Sequence, residues 1–123
     1  MKDSEFIELV SRRLKQFGVE PDEDAIRYCW GVSTGRITNF LAVREVPEGL
    51  LVEQAEEVAG EVLKLLYSIG RIENIDGVVS SVKEGDTTVT FGTSSSPEAK
   101  FNEIVNGMRI SDRSLLRYRR MTW

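Results

Sequence analysis

Residues 47–70, PEGLLVEQAEEVAGEVLKLLYSIG, contain the longest and clearest helical pattern of the chain. Its apolar residues recur at steps of three and four, which is the period of an α-helix with one buried face. Pro47 is favoured at the start of a helix and Gly70 just beyond its end, while Gly60 on the apolar side would let another backbone come close. The predicted inward face consists of Leu51, Ala55, Val58, Ala59, Val62, Leu65, Leu66 and Ile69.

The opposite face of this predicted helix carries a row of acids against Lys64 alone. A solvated helix face is the plain interpretation of such a row. The functional alternative is a wall that repels a polyanion passing along it. The row consists of Glu48, Glu53, Glu56, Glu57 and Glu61.

Two helices are predicted upstream, over residues 4–17 and from Asp22 to Phe40 or Leu41. Asp3 or Ser4 would cap the first, and Gly18 would end it. The second begins with three consecutive acids, the charge pattern of a helix N-terminus, and its inward positions are Ile26, Trp30, Ser33, Ile37 and Phe40. Gly31 and Gly35 weaken its middle by about 1 kcal/mol each relative to alanine, so they predict a kink, a break or a close helix crossing.

Downstream of Gly70 the period changes from helical to alternating. In residues 77–92, GVVSSVKEGDTTVTFG, two alternating runs flank the turn residues Gly85 and Asp86, which predicts a β-hairpin. A lone hairpin is marginal in water, so we expect it to lean on the helices or to pair with another chain. Its alternating residues are Val79, Val82, Thr87, Val89 and Phe91.

Two short helices are predicted at the C-terminal end, one starting at Pro97 and one capped by Ser111 or Asp112 and reaching about Arg120. The 123 residues therefore predict one mainly α domain, a small bundle of four to five helices with one projecting β-hairpin or extended loop. Its parts are a helical body at 4–70, the hairpin at 77–92, and C-terminal helices with a docking tail at 97–123.

The last 15 residues are the strongest local anomaly in the sequence. Residues 109–123 contain five arginines and one acid, a net charge of +4, whereas the whole chain carries −4 and the first 108 residues therefore −8. Such a segment could bind phosphates, dock on a protein or be a solvated end. An acidic body disfavours free nucleic-acid binding and fits docking on an acidic protein surface, with the tail mobile until it makes contact.

Enzyme and metal chemistry have little support in the composition. The chain has no histidine, so the usual general base and the commonest nitrogen ligand for zinc are missing. The single cysteine, Cys29, lies among apolar residues and is interpreted as a buried thiol. We expect no catalytic set, no metal, no cofactor and no membrane span. Charges from Lys2 onward also predict the absence of a signal peptide and an intracellular product.

Several segments together resemble the head-tail connector proteins of long-tailed bacteriophages and related prophages, also called head-completion or adaptor proteins. They are ITNFLAVREVPEGLLVEQA at 37–55, the helix end YSIGR at 67–71, VSSVKEGDTTVTFG at 79–92 and LLRYRR at 115–120. The order and spacing of these segments are more specific than any one of them. The resemblance covers about residues 35–120.

The resemblance implies a structural virion protein without enzymatic activity. Such subunits form a ring of about twelve copies under the portal ring, while an isolated subunit can be a monomer. The ring extends the channel, through which DNA passes without sequence-specific binding, and offers a surface to the next head-completion or tail protein. The implied location is the head-tail junction of the virion, reached from the host cytoplasm during assembly.

The resemblance also implies roles for individual residues. The C-terminal region of the family commonly meets the portal, which makes the docking residues here Leu116, Arg117, Tyr118, Arg119, Arg120 and Trp123. The hairpin would pack against a neighbouring subunit or the next ring through Val79, Val82, Thr87, Val89 and Phe91. Acids facing the channel would be Glu53, Glu56, Glu57 and Glu61. The alternative left open is a small helical DNA-binding or regulatory protein that uses the basic C-terminal tail.

Overall fold

The computed structural model describes residues 1–72 and 96–122, with side chains up to residue 119. The protein is mainly helical, as predicted. Its elements are α1 (Asp3–Gln16), α2 (Glu23–Leu41), a 3-10 turn (Glu48–Leu50), α3 (Leu51–Ser68), α4 (Pro97–Met108) and α5 (Asp112–Thr122). The predicted hairpin at 77–92, with Val79, Val82, Thr87, Val89 and Phe91, lies outside the described residues.

Helix α3 is the centre of the bundle and packs against α1, α2 and α4. Helix α1 runs parallel to it, since the N-terminal amine of Met1 pairs with Glu48 at 3.3 Å and Arg13 pairs with Glu56 at 3.0 Å. Helices α2 and α4 run antiparallel to α3. The amphipathic stretch at 47–70 is therefore buried on three sides by its neighbours.

The antiparallel partners of α3 are fixed at both ends. For α2, Asp22 at its start pairs with Arg71 beyond the end of α3. For α4, Phe101 near its start packs on Tyr67, with ring centroids 5.2 Å apart, and Met108 at its end lies beside Gly60. The bundle is thus closed by contacts that join distant parts of the sequence.

Two apolar clusters form the interior. The larger one joins α1, the first half of α2, α3 and α4, and includes a stack of Phe6 on Trp30 with centroids 4.1 Å apart. The smaller one holds α5 against the second half of α2 and the 3-10 turn. Its buried members are Ile37, Leu41, Leu50, Ile110 and Leu115, with Phe40, Val43, Val46 and Tyr118 packed against them.

Helix boundaries follow local chemistry in most places. Gly18 and Gly70 have φ of 76° and 79°, a left-handed conformation that glycine adopts readily, and they follow α1 and α3 as predicted. Asp22 caps α2 by accepting a hydrogen bond from the Ala25 amide at 3.1 Å, which holds the pKa of this carboxyl below its usual value. The predicted cap of α1 by Asp3 or Ser4 is wrong, because Lys2 occupies the cap position without a side-chain bond.

The glycines of α2 and α3 have different surroundings. Helix α2 runs unbroken through Gly31 and Gly35, and nothing lies within 4 Å of a Cβ built at either, so neither the break nor the close crossing is present among the described residues. The α-helical interior therefore tolerates both glycines at only their intrinsic cost. At Gly60 the predicted close approach is confirmed by Met108 of α4.

The predicted inward face of α3 is mostly correct. Ala55, Val58, Ala59, Val62 and Leu66 are buried, and Leu51 and Leu65 are partly buried. The prediction is wrong for Ile69, which lies just after the last residue of α3 and is 57% exposed.

Candidate functional site

Helix α5, the predicted docking element, is built on a capped start and one buried anchor. The Ser111 hydroxyl accepts a hydrogen bond from the Ser114 amide at 3.1 Å, as an N-cap does. Leu115 is fully buried in the smaller cluster. Residues 112–119 are folded onto the body as part of the predicted C-terminal helix, and the mobility of the tail before contact stays a prediction.

The outward side of α5 is basic with an apolar residue in it. Leu116 is 40% exposed, and Arg113 and Arg117 are exposed beside it. Arg113 precedes Leu116 by three residues and Arg117 by four, so it is a neighbour of each on the helix surface, whereas Leu116 and Arg117 are consecutive and point about 100° apart. Leu116 and Arg117 thus have the accessibility that a docking role requires.

The other predicted docking residues are placed differently. Arg119 is half-buried, while the side chains of Arg120 and Trp123 lie outside the described residues. Tyr118 is also half-buried and packs on the smaller cluster, with its hydroxyl 3.7 Å from where a Cβ would lie at Gly49. Its aromatic ring therefore stabilises α5 within the subunit, and its interpretation as an exposed docking anchor needs correction.

The predicted row of channel-facing acids is not uniform. Glu53 is exposed and Glu61 is half-buried, but Glu56 pairs with Arg13 of α1 at 3.0 Å. Glu57 is only 3% exposed and cannot face a channel or solvent. The row is therefore three accessible acids, Glu53, Glu56 and Glu61, beside one buried acid.

Glu57 is the centre of a buried polar network between α2, α3 and the α4–α5 junction. It accepts hydrogen bonds from the Ser33 hydroxyl at 2.5 Å, from Nη1 of Arg36 at 2.6 Å and from the Ile110 amide at 3.0 Å. Arg36 also donates to the Ile110 carbonyl and to Asp112 at 3.3 Å. Three donors on one carboxylate compensate for the cost of removing its charge from water.

Gln54 extends this network by one turn toward the N-terminus of α3. Its Nε2 donates to the hydroxyls of Ser33 and Thr34 at 3.3 and 3.0 Å, and it is fully buried. Sequence reasoning placed Ser33 correctly on the inward face of α2. A buried hydroxyl group needs a hydrogen-bond partner. The inward position of Ser33 in the sequence therefore indicated that a polar side chain of a neighbouring helix also points inward, but it did not indicate which one.

Cys29 lines an open groove of about 360 Å³ between α2 and α3. Burial, with a smaller contribution from Glu61, raises the pKa of its thiol to about 11. The thiol is therefore protonated at neutral pH, which agrees with its interpretation as an inert side chain. Among the residues that the structure describes, no group of three or more histidine, cysteine or acidic side chains could hold a metal ion.

Comparison with known proteins gives no relative. The chain matches no protein-family model, no curated protein and no solved structure. Within the described ranges, 1–72 and 96–122, no helix combines the length and the apolar character that crossing a membrane requires.

Proposed function

We propose that the protein is a structural head-tail connector of a long-tailed phage or prophage, which joins a portal ring to the next completion or tail protein. The observation that carries the proposal is the outward face of α5. It presents Arg113, Leu116 and Arg117 to solvent from a helix anchored by Leu115, at the end of an otherwise acidic chain.

The chemistry of this face favours a protein partner. Arginine is enriched in protein interfaces, where its guanidinium group can pair with a carboxylate, and an exposed leucine beside it adds apolar area that a partner can bury. The first 108 residues carry a net charge of −8, which would repel nucleic acid around most of the subunit. An acidic portal surface is the partner that this charge distribution fits.

The remaining roles in the proposal follow from the same surface chemistry. Glu53, Glu56 and Glu61 are the accessible acids of α3 and are candidates for the wall along which DNA passes. Like-charge repulsion would keep DNA from adhering there. In this proposal the assembled ring extends the DNA channel at the head-tail junction, and the subunit has no enzymatic role.

The proposal is tested with a double variant of the exposed face, Leu116→Asp with Arg117→Glu, in sedimentation with portal-bearing capsids. We expect the variant to fold as the wild type does and to lose incorporation by at least about tenfold, because both the apolar contact and the charge pairing are removed. The matched control is Arg12→Glu on α1, where an exposed arginine pairs with Glu8 one turn earlier. Equal incorporation of the double variant and the wild type would refute docking through α5.

A DNA-binding measurement distinguishes the connector function from the alternative, a small DNA-binding or regulatory protein. We expect the isolated protein to show no appreciable binding to duplex DNA at physiological salt. Submicromolar binding that weakens steeply with added salt would instead support the nucleic-acid role, since that dependence reports arginine-phosphate contacts.

A further inference from the structure

The two apolar clusters are separated by the buried polar network, which we call the polar layer and define as Ser33, Arg36, Gln54 and Glu57. On one side lies the larger cluster of the bundle, and on the other lies the smaller cluster that holds α5. Three members of the layer are nearly inaccessible, with Ser33 4%, Gln54 0% and Glu57 3% exposed. A boundary of polar side chains inside a small domain divides its apolar packing into two parts.

The layer is built almost entirely from the body of the bundle. Ser33 and Arg36 belong to α2, and Gln54 and Glu57 belong to α3. The junction before α5 contributes the backbone of Ile110, whose amide donates to Glu57 and whose carbonyl accepts from Arg36. The first residue of α5, Asp112, contributes its carboxylate, which accepts from Arg36. These polar contacts can be broken without separating Arg36 from Glu57.

This arrangement makes release of α5 less costly than disruption of the bundle. If α5 leaves, Glu57 keeps the Ser33 hydroxyl and the Arg36 guanidinium, so the buried carboxylate is never left without a counter-ion. Water can then solvate the freed Ile110 amide and carbonyl. A segment with few buried apolar contacts can open locally, and the free energy of that opening is smaller than the free energy of global unfolding.

We propose that α5 is a two-position element and that Arg36 and Glu57 form a catch that holds it closed on the body. In the closed position Tyr118 is half-buried against the smaller cluster, while Leu116 and Arg117 are exposed. In the open position Tyr118 and the apolar surface beneath α5 become accessible together. The catch is preorganised in the body, so α5 returns to the same pose each time. This inference concerns the isolated chain and does not depend on the identity of its partner.

The proposal is tested by amide hydrogen exchange on the full-length protein, measured at several urea concentrations below the unfolding transition. In the wild type we expect the amides of residues 115–119, which have helical hydrogen bonds, to exchange through one shared opening. Its urea dependence should be weaker than that of the core amides of α3, because less surface is exposed. If the α5 amides exchange only with the global unfolding of α3, the proposal is wrong. This measurement needs no variant to fold.

The variant Arg36→Gln gives a second readout on the catch itself. We expect exchange of the α5 amides to accelerate about tenfold or more, as the loss of charged hydrogen bonds implies, with the amides of α1 and α3 much less affected. The matched control is Arg27→Gln on the same helix, which removes an exposed pair with Glu23 and should leave α5 unchanged. Equal acceleration in α1, α3 and α5 would show that Arg36 only supports global stability and would overturn the proposal.

Discussion

Gly60 of α3 faces Met108 of α4 so closely that a Cβ added at Gly60 would lie 3.0 Å from the Met108 Cβ. The Val105 carbonyl oxygen would lie 3.4 Å from this added Cβ. Both neighbours belong to or lie next to the α4 backbone, so neither can move aside by rotating a side chain. The absence of a side chain at Gly60 therefore sets the distance between the two helices.

Substitution of Gly60 by alanine should destabilise the protein despite the better helix propensity of alanine. Propensity alone favours Gly60→Ala by about 1 kcal/mol, but overpacking against α4 should cost about 1–3 kcal/mol. Urea unfolding followed by circular dichroism measures the net change. The control is Gly31→Ala in α2, where a Cβ has open space, and it should stabilise the protein by up to about 1 kcal/mol. An equal gain at both positions would contradict the close approach.

The acids of α3 should differ sharply in their effect on stability. We expect Glu57→Ala to lower the free energy of unfolding by about 3–5 kcal/mol, because Arg36 and the Ile110 amide would lose a buried carboxylate. Glu53→Ala, on the same face of the helix but exposed, should change it by no more than about 0.5 kcal/mol. The same urea unfolding measures both. Similar small losses at the two positions would mean that Glu57 is solvated like its neighbours.

The Cys29 thiol should make stability fall at alkaline pH. Its pKa is about 11 in the folded protein against 9.0 for the free group, so the folded state holds the thiol proton more tightly than the unfolded chain does. This contribution is complete below pH 9 and is lost as the pH rises through 11. The free energy of unfolding, measured from about pH 8 to pH 11, should decline less steeply for Cys29→Ala than for the wild type. Parallel declines would show that the thiol is not desolvated.

The helical parts of the fold were predictable because their apolar residues repeat over several turns. The inward faces of α2 and α3 and the ends at Gly18 and Gly70 follow from periodicity and glycine conformation alone. Such signals are local, and packing against neighbouring helices agrees with them. The predictions for Glu57 and Tyr118 failed because tertiary contacts decide the burial of these two residues.

Glu57 and Tyr118 show what the sequence could not supply. Glu56 and Glu57 are adjacent acids of one chemical type, and only the positions of α2 and of the α4–α5 junction bury the second. Tyr118 belongs to a run of arginines that indicates solvent, yet the 3-10 turn around Gly49 gives its ring a surface to pack on. In both cases the partner is distant in sequence and leaves no periodic trace. The helix that carries the proposed docking residues was therefore predicted, but the burial of its side chains was predicted only in part.

Electron microscopy of the protein mixed with the portal ring tests whether the subunit docks through α5, as proposed above. We expect a ring of subunits on the portal, with α5 at the contact and Leu116 and Arg117 against the portal surface. A portal that stays bare under saturating protein, or a ring that contacts it through another face of the bundle, would contradict docking through α5.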